Sequence, residues 1–237
     1  MALYTEAAVR ANLRNREGRR VFYLGQGDQL TPGARDFLRD NHIEILPASA
    51  ARPQVYRTLQ GAEFQEKPEH MTHLNGDVLV PKDHPRIVFR GWVDMLEAEI
   101  LLAQRQAQDE GYGQVCRELG QALELVRLMI RCDVLNEPLQ FPKLGGLDAK
   151  ALRERSHNPQ NYYNQPHFMP DHTQSRTLLA VNKARTMVRA TELSCYAAFR
   201  DQNGLCVRED LLQGLNRLSS FLWIQEIQLA AGQYKKG

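Results

Sequence analysis

The sequence predicts a mainly α protein: an antiparallel bundle of about five helices with a small α/β unit at its N-terminal end. Three observations lead to that fold class. After residue 80, apolar residues recur at three- and four-residue spacing over long stretches free of Pro, the signature of amphipathic helices. Before residue 50, two short β-rich runs flank one capped helical stretch. Between about residues 49 and 70 the chain turns polar and loses periodicity, as a linker or loosely packed arm does. The expected division is a strand–helix–strand unit with its linker over 1–70 and a helical-bundle domain over 71–237.

In the first unit VFYLG (21–25) and IEILPA (43–48) read as strands. LTPGARDFLRDN between them reads as a helix, with Thr31 as N-cap and Pro32 in its first position. A preceding helix fits residues 4–14. In the second, Asp83 can cap a helix that has Pro85 in its first turn, and Phe89, Val93, Leu96, Ile100 and Ala103 form its stripe. Val115, Leu119, Ala122, Val126 and Met129 repeat the pattern. A long loop with Pro and Gly follows, holding a short helix near 148–156. A third long helix spans about 173–201, is broken by DQNG, and gives way to a last one over about 208–232 with Leu211, Leu215, Leu218 and Leu222 on one stripe.

Bulk charge excludes some functions. Thirty Lys and Arg stand against 28 Asp and Glu, a net charge of +2, so nothing draws the whole molecule to nucleic acid or to an anionic membrane, and any anion site must be local. No apolar run approaches the length of a membrane span and no charged-then-apolar leader opens the chain, so a soluble cytoplasmic protein is expected. Cys116, Cys132, Cys195 and Cys206 form no C-x-x-C pair, and the first three fall in apolar helical stretches, as reduced buried thiols do.

The stretch KARTMVRATE (183–192) puts Arg185, Arg189 and Glu192 on one helix face. Two guanidiniums stacked four residues apart repel unless an anion lies between them, and that anion is a protein carboxylate, a phosphate or only water. Asp94 and Glu97, beside the first bundle stripe, are either a solvated edge or acids facing that ridge; a buried Asp94–Arg185 pair would serve positioning more than stability. MTHLNGDVLVPKDHPR (71–86) gathers Thr72, an Asn, a Gly, an Asp and Lys82 before a helix, a loop able to present N–H groups and a Lys to phosphate. Glu69, His70 and His73 in EHMTH lack a partner motif for metal binding, and the single E-x-x-H of Glu154 and His157 lacks the second copy that a di-iron bundle needs. Asn216 in LNRLSS, one residue off the leucine stripe, is a satisfied core polar group or a ligand contact.

Taken together, VPKDHPRIVFRGWVDMLEAEI, HFMPDHTQSRTLLAVNKARTMVRATE and GLNRLSSFLWI resemble, in order and spacing, the ATP:cob(I)alamin adenosyltransferases of the propanediol-utilisation type. LTPGARDFLRDNHIEI and MTHLNGD are closer to the ethanolamine-utilisation branch of that superfamily. The resemblance implies a trimer of helical bundles, with ATP and Mg²⁺ bound at the junction between subunits. It also implies a cob(II)alamin that has lost its lower ligand, is reduced to cob(I)alamin, and attacks C5′ of ATP to expel triphosphate. Residue by residue, it implies an Asp94–Arg185 link that holds the site together, and Phe168 under the corrin. Arg189, Glu192, Asn216, Thr72 and Lys82 would serve ATP.

Three departures stand out. The family's TGD-x-G loop reads THLNGDV here, its RRAER helix motif reads VRATE, and no cysteine precedes Cys116 where some ethanolamine-type relatives carry a His with a CC-x-x-C cluster for a metal, so no structural metal is expected. The altered loop leaves open a non-catalytic nucleotide or corrinoid carrier. The extra 70 residues leave open an assembly protein that docks to a corrinoid-dependent enzyme or to a bacterial microcompartment.

Overall fold

The computed structural model describes residues 2–16, 18–50 and 55–237. The chain divides into two compact units, Met1–Tyr56 with Glu63–Glu66 and Arg57–Ala62 with Lys67–Gly237.

The first unit is built from β1 (Leu3–Tyr4), α1 (Glu6–Ala11), β2 (Arg14–Arg16), β3 (Arg19–Leu24), β4 (Gln29–Leu30), α2 (Pro32–Asp40) and β5 (Glu44–Pro47). Thr31 caps α2, its Oγ1 accepting from the Ala34 N–H at 3.3 Å, with Pro32 next in line. β3 and β5 pair in parallel from Val21↔Glu44 to Leu24↔Pro47, and α2 is the crossover that parallel pairing requires. Alternation along β3 turns Phe22 onto Val9, Ala34, Leu38 and Ile43, the unit's core. The helix expected over 4–14 is shorter: Leu3–Tyr4 pairs with Gln29–Leu30 as a strand, and Thr5 and Asn12 bound the helix with side-chain hydrogen bonds to its own backbone.

The polar run from 49 to 70 is more structured than a linker, since it contains β6 (Tyr56–Thr58) and β7 (Glu63–Phe64); its residues 51–54 lie outside the described ones. The loop expected over 71–86 is instead an antiparallel hairpin of β8 (Met71–Asn75) and β9 (Val78–Pro81), turning at Gly76 with φ +49°, with β6 parallel on β9. A register shift between His73 and Asn75 puts Met71 and Leu74 both inward, which breaks the period of two that marks a strand in sequence.

The bundle comprises α3 (Pro85–Asp109), α4 (Gly113–Leu135), α5 (Ala149–His157), α6 (Pro159–Tyr163), α7 (Arg176–Phe199) and α8 (Glu209–Ala230). α7 packs between α3 and α8, and α3 packs on α4. Every residue of the three expected apolar stripes, in α3, α4 and α8, is buried. α6, opened by Pro159 and only five residues long, was too short to show a period. His84, not Asp83, caps α3: its Nδ1 accepts from the Arg86 N–H at 3.2 Å, because Pro85 at the first helical position fixes the residue before it as the cap. Gly214 lets α8 approach closely, since a Cβ there would stand 2.8 Å from both Leu139 Cδ2 and Met129 Cε.

One buried charge cluster ties the hairpin to the bundle. Asp133 of α4 is fully buried and paired with Arg86 Nη2 at 2.7 Å and Arg90 Nε at 2.6 Å. Arg90 Nη2 also donates to the Leu74 carbonyl at 2.8 Å, so one guanidinium joins α3, α4 and β8. With both carboxylate oxygens accepting, the desolvation cost of Asp133 is offset locally.

Candidate functional site

A cleft of about 1020 Å³ opens in the bundle where α7, α8, the end of α5 and the segment before α7 meet. α7 contributes Asn182, Arg185, Arg189 and Glu192 at helical spacing, so the ridge read in KARTMVRATE lines its wall. α8 contributes Asn216, Ser219, Ser220 and Trp223. His157 comes from α5, and His167 and Phe168 from the extended stretch that leads to α7.

One side of the cleft is aromatic. The Phe168 ring stacks on Trp223 with centroids 5.4 Å apart, and the His167 ring lies nearly parallel to Trp223 at 5.8 Å. Phe168 is half-buried, its body against the bundle core and its edge in the cleft. The Arg185 guanidinium carbon sits 5.2 Å from the Trp223 ring centroid, within cation–π range.

The other side is polar and organised in two short chains of hydrogen bonds. Arg217, buried, donates through Nη1 to Asn216 Oδ1 at 3.0 Å, and Asn216 Nδ2 donates to Glu192 Oε1 at 3.1 Å. Asn216 is thereby both held from behind and presented to the cleft. Arg185 donates through Nε to Glu226 Oε1 and through Nη2 to Asn182 Oδ1, each at 2.7 Å. Arg189 is exposed on the same face and makes no ion pair among the described residues.

Within the chain Arg185 pairs with Glu226, and Asp94, its expected partner, does not reach it. Asp94 follows buried Val93 on α3, and a step of one residue turns it away from the core, where it is exposed. The acid that reaches Arg185 comes instead from α8, the helix packed beside α7. Thr72 and Lys82 do not line the cleft of their own chain: Thr72 lies in β8 opposite Val80, and Lys82 pairs with Glu69 at 3.3 Å. Glu97 pairs with Arg127 on the surface at 2.6 Å. Among the described residues no three His, Cys, Asp or Glu side chains converge as a metal cage.

Glu226 went unnoticed in the sequence although it carried a signal. It continues the stripe of Leu211, Leu215, Leu218 and Leu222 by one more step of four, so an acid stands where the next core leucine belongs. The side chain is 0% exposed, and its Oε2 has no hydrogen-bond partner among the described residues. Burial pushes the carboxyl up to about 7, against the opposing pull of the Arg185 charge and hydrogen bond.

The family described as cobalamin adenosyltransferase matches residues 63–228. The corrinoid adenosyltransferase EutT of Escherichia coli (strain K12) is 29% identical over 249 residues, covering 94% of this chain and 90% of that protein. The EutT of Salmonella typhimurium (strain LT2) is 28% identical over the same coverage. Among solved structures, a variant PduO-type ATP:corrinoid adenosyltransferase from Lactobacillus reuteri, complexed with cobalamin and ATP, aligns with 77% of this chain and 92% of its own. The identity is 16% and the TM-score 0.49.

The elevated carboxyl of Glu226 predicts a pH signature in stability. Between its ordinary value of 4.5 and about 7, the folded chain holds a proton that the unfolded chain has lost. Stability therefore falls as pH rises through that window, by roughly 3 kcal/mol for a shift of this size. Urea unfolding of the wild type and of Glu226→Gln from pH 4.5 to 8 should show this extra decline in the wild type alone. Parallel curves would show that Glu226 is solvated as an ordinary carboxylate.

Proposed function

This chain belongs to the cobalamin adenosyltransferase family, and we propose that it moves the 5′-deoxyadenosyl group of ATP onto the cobalt of cob(I)alamin, giving adenosylcobalamin and inorganic triphosphate. The observation that carries this reading is the cleft that brings an arginine ridge at 185 and 189 against an aromatic wall of Phe168, Trp223 and His167. The reaction needs both sides. The Co(I) electron pair attacks C5′, the C5′–O bond breaks, and its electrons leave with the triphosphate. Fixed cations at the leaving oxygens stabilise that charge as it develops, and a flat apolar wall suits a corrin ring and holds it in line.

Within this reading Arg185 and Arg189 hold the triphosphate, and Asn216, oriented by Arg217, meets the nucleoside. Mg²⁺ bound to a nucleotide keeps several waters and takes one or two carboxylates beside the phosphate oxygens. Glu192 fits that demand, being the carboxylate among the cleft's lining residues with only Oε1 engaged, by Asn216. It would hold the ion, which neutralises part of the triphosphate charge. Cobalamin is a substrate, and Phe168 would lie against its lower face, apolar and without a ligating atom, so that the lower axial ligand stays off the cobalt.

The same proposal extends to assembly and location. Val88, Met95 and Leu102 are 43%, 50% and 61% exposed at seven-residue intervals along α3, and Leu193 of α7 is 73% exposed. Large apolar side chains spaced along helix faces are characteristic of a surface that another chain covers, and a homotrimer closes such a contact. Thr72 and Lys82 would then serve the ATP site of a second copy. A cytoplasmic protein accords with four free cysteines and with the lack, among the described residues, of any helix long and apolar enough to cross a membrane. Docking to a microcompartment or a corrinoid-dependent enzyme would fall to the first unit, which has a core of its own.

Two experiments test these statements. Phe168→Ala should fold and bind ATP but lose turnover on cobalamin far more than on cobinamide, which has no tethered base to displace; equal losses on both would refute the role of the ring. Light scattering should give the mass of three 27.1 kDa chains, and Met95→Lys combined with Leu102→Lys should yield monomers. A monomeric wild type at micromolar concentration would contradict the shared site.

A further inference from the structure

Asp133 and Glu226 are the two acidic residues buried among the described ones, and they differ in how they are satisfied. Asp133 meets two arginines with both oxygens. Glu226 meets one, and its Oε2 is left without a donor in an apolar surround between Leu222 and Ile227. A half-satisfied buried carboxylate is unfavourable for folding, and a leucine at this stripe position would pack without that cost. Core stability therefore does not account for the residue, and its single partner points to what does.

Resting on the adenosyltransferase reading of the cleft, we propose that Glu226 is a positioning residue, fixing the Arg185 guanidinium at the cleft wall so that its free N–H groups meet the leaving triphosphate. The hold is threefold. Nε is bound to Glu226 Oε1, Nη2 to Asn182 Oδ1, and the guanidinium lies over the Trp223 ring. Two of the five guanidinium N–H donors are thus spent within the protein, leaving three for a ligand. An unheld arginine samples many rotamers and would have to be ordered during the reaction; this one is ordered by folding. Arg189, by contrast, has no such hold among the described residues and supplies charge from an exposed position.

Glu226 also sets the charge of the wall. Ionised, it offsets Arg185; protonated, it remains an acceptor for Nε but leaves the arginine's charge uncompensated. The charged groups around it are few. Arg185 faces it from α7, Glu118 of α4 is bound by the neighbouring Gln225, and His157, His167, Arg189 and Glu192 lie around the cleft beyond Arg185. Positioning and charge then make opposite demands on the Glu226→Gln variant. Losing the negative charge strengthens ground-state attraction for an anion, while losing the firm hold on Arg185 weakens the transition state.

The test compares the wild type, Glu226→Gln and Asn182→Ala. Inorganic triphosphate affinity and steady-state adenosylation are each measured from pH 5.5 to 8.5. At pH 8, Glu226→Gln should bind inorganic triphosphate at least as tightly as the wild type, yet lose kcat by roughly tenfold or more. The wild-type kcat should fall as pH drops through about 7, and that acidic limb should be missing in Glu226→Gln. Asn182→Ala, which releases the other edge of the guanidinium, should lose kcat by about tenfold while keeping the limb, and it carries the test if Glu226→Gln does not fold. An unchanged kcat in the variants, or the same acidic limb in the wild type and Glu226→Gln, would overturn the proposal. If the wild type makes no adenosylcobalamin, the functional reading fails on its own, and positioning is judged by binding alone. Wild-type affinity that tightens on acidification more than that of Glu226→Gln upholds it; identical pH dependence, or no triphosphate binding at all, overturns it.

Discussion

The contact between Arg185 and Glu226 joins the hydrophobic bundle to the cleft, and the rest of the site depends on it. The carboxylate is buried on the leucine stripe of α8, where only the packing of α8 on α7 can hold it. The guanidinium emerges on the cleft side of α7, over Trp223. Helix packing thereby decides where a positive charge sits, and folding has already met the cost of ordering it. Asp133 performs the corresponding task at the other end of the bundle, holding Arg90 and, through it, the hairpin of β8 and β9. In both places a buried acid fixes an arginine whose other donors face outward to something else.

The fold was legible to the extent that it is periodic. Stripes such as Phe89 to Ala103 and Leu211 to Leu222 announce α3 and α8 because each apolar side chain reports the same face at 3.6 residues per turn. The Thr31-Pro32 start of α2 was equally plain, since cap and N1 chemistry is local. What escaped notice lacks a period. The β8–β9 hairpin hides behind a bulge, α6 has five residues, and the choice between Asp83 and His84 as cap rests on a one-residue shift relative to Pro85.

The site divides along the same line. Arg185, Arg189 and Glu192 lie together in the cleft because one helix face carries them, and Asn216 joins them through its hydrogen bond to Glu192. The partner of Arg185 was a different kind of question, because pairing between helices depends on rotation and register that one helix's sequence does not state. Asp94 is exposed on α3 and does not meet Arg185 within the chain, whereas Glu226 lies on the face that α8 turns toward α7. The aromatic wall was half visible: Phe168 came from the family resemblance, but Trp223 and His167 acquire a role only when the chain returns past α5 to stack them.

The central claim is that the arginine ridge and the aromatic wall act on one nucleotide and one corrinoid in a single displacement at C5′. It is tested most directly by incubating the protein with ATP, Mg²⁺, cob(II)alamin and a chemical reductant, and quantifying both products in the same mixture. The account predicts adenosylcobalamin and inorganic triphosphate in equal amounts, with neither formed when ATP is left out. Release of ADP or of single phosphates without a cobalt–carbon bond, or corrinoid binding with no product at all, would contradict it.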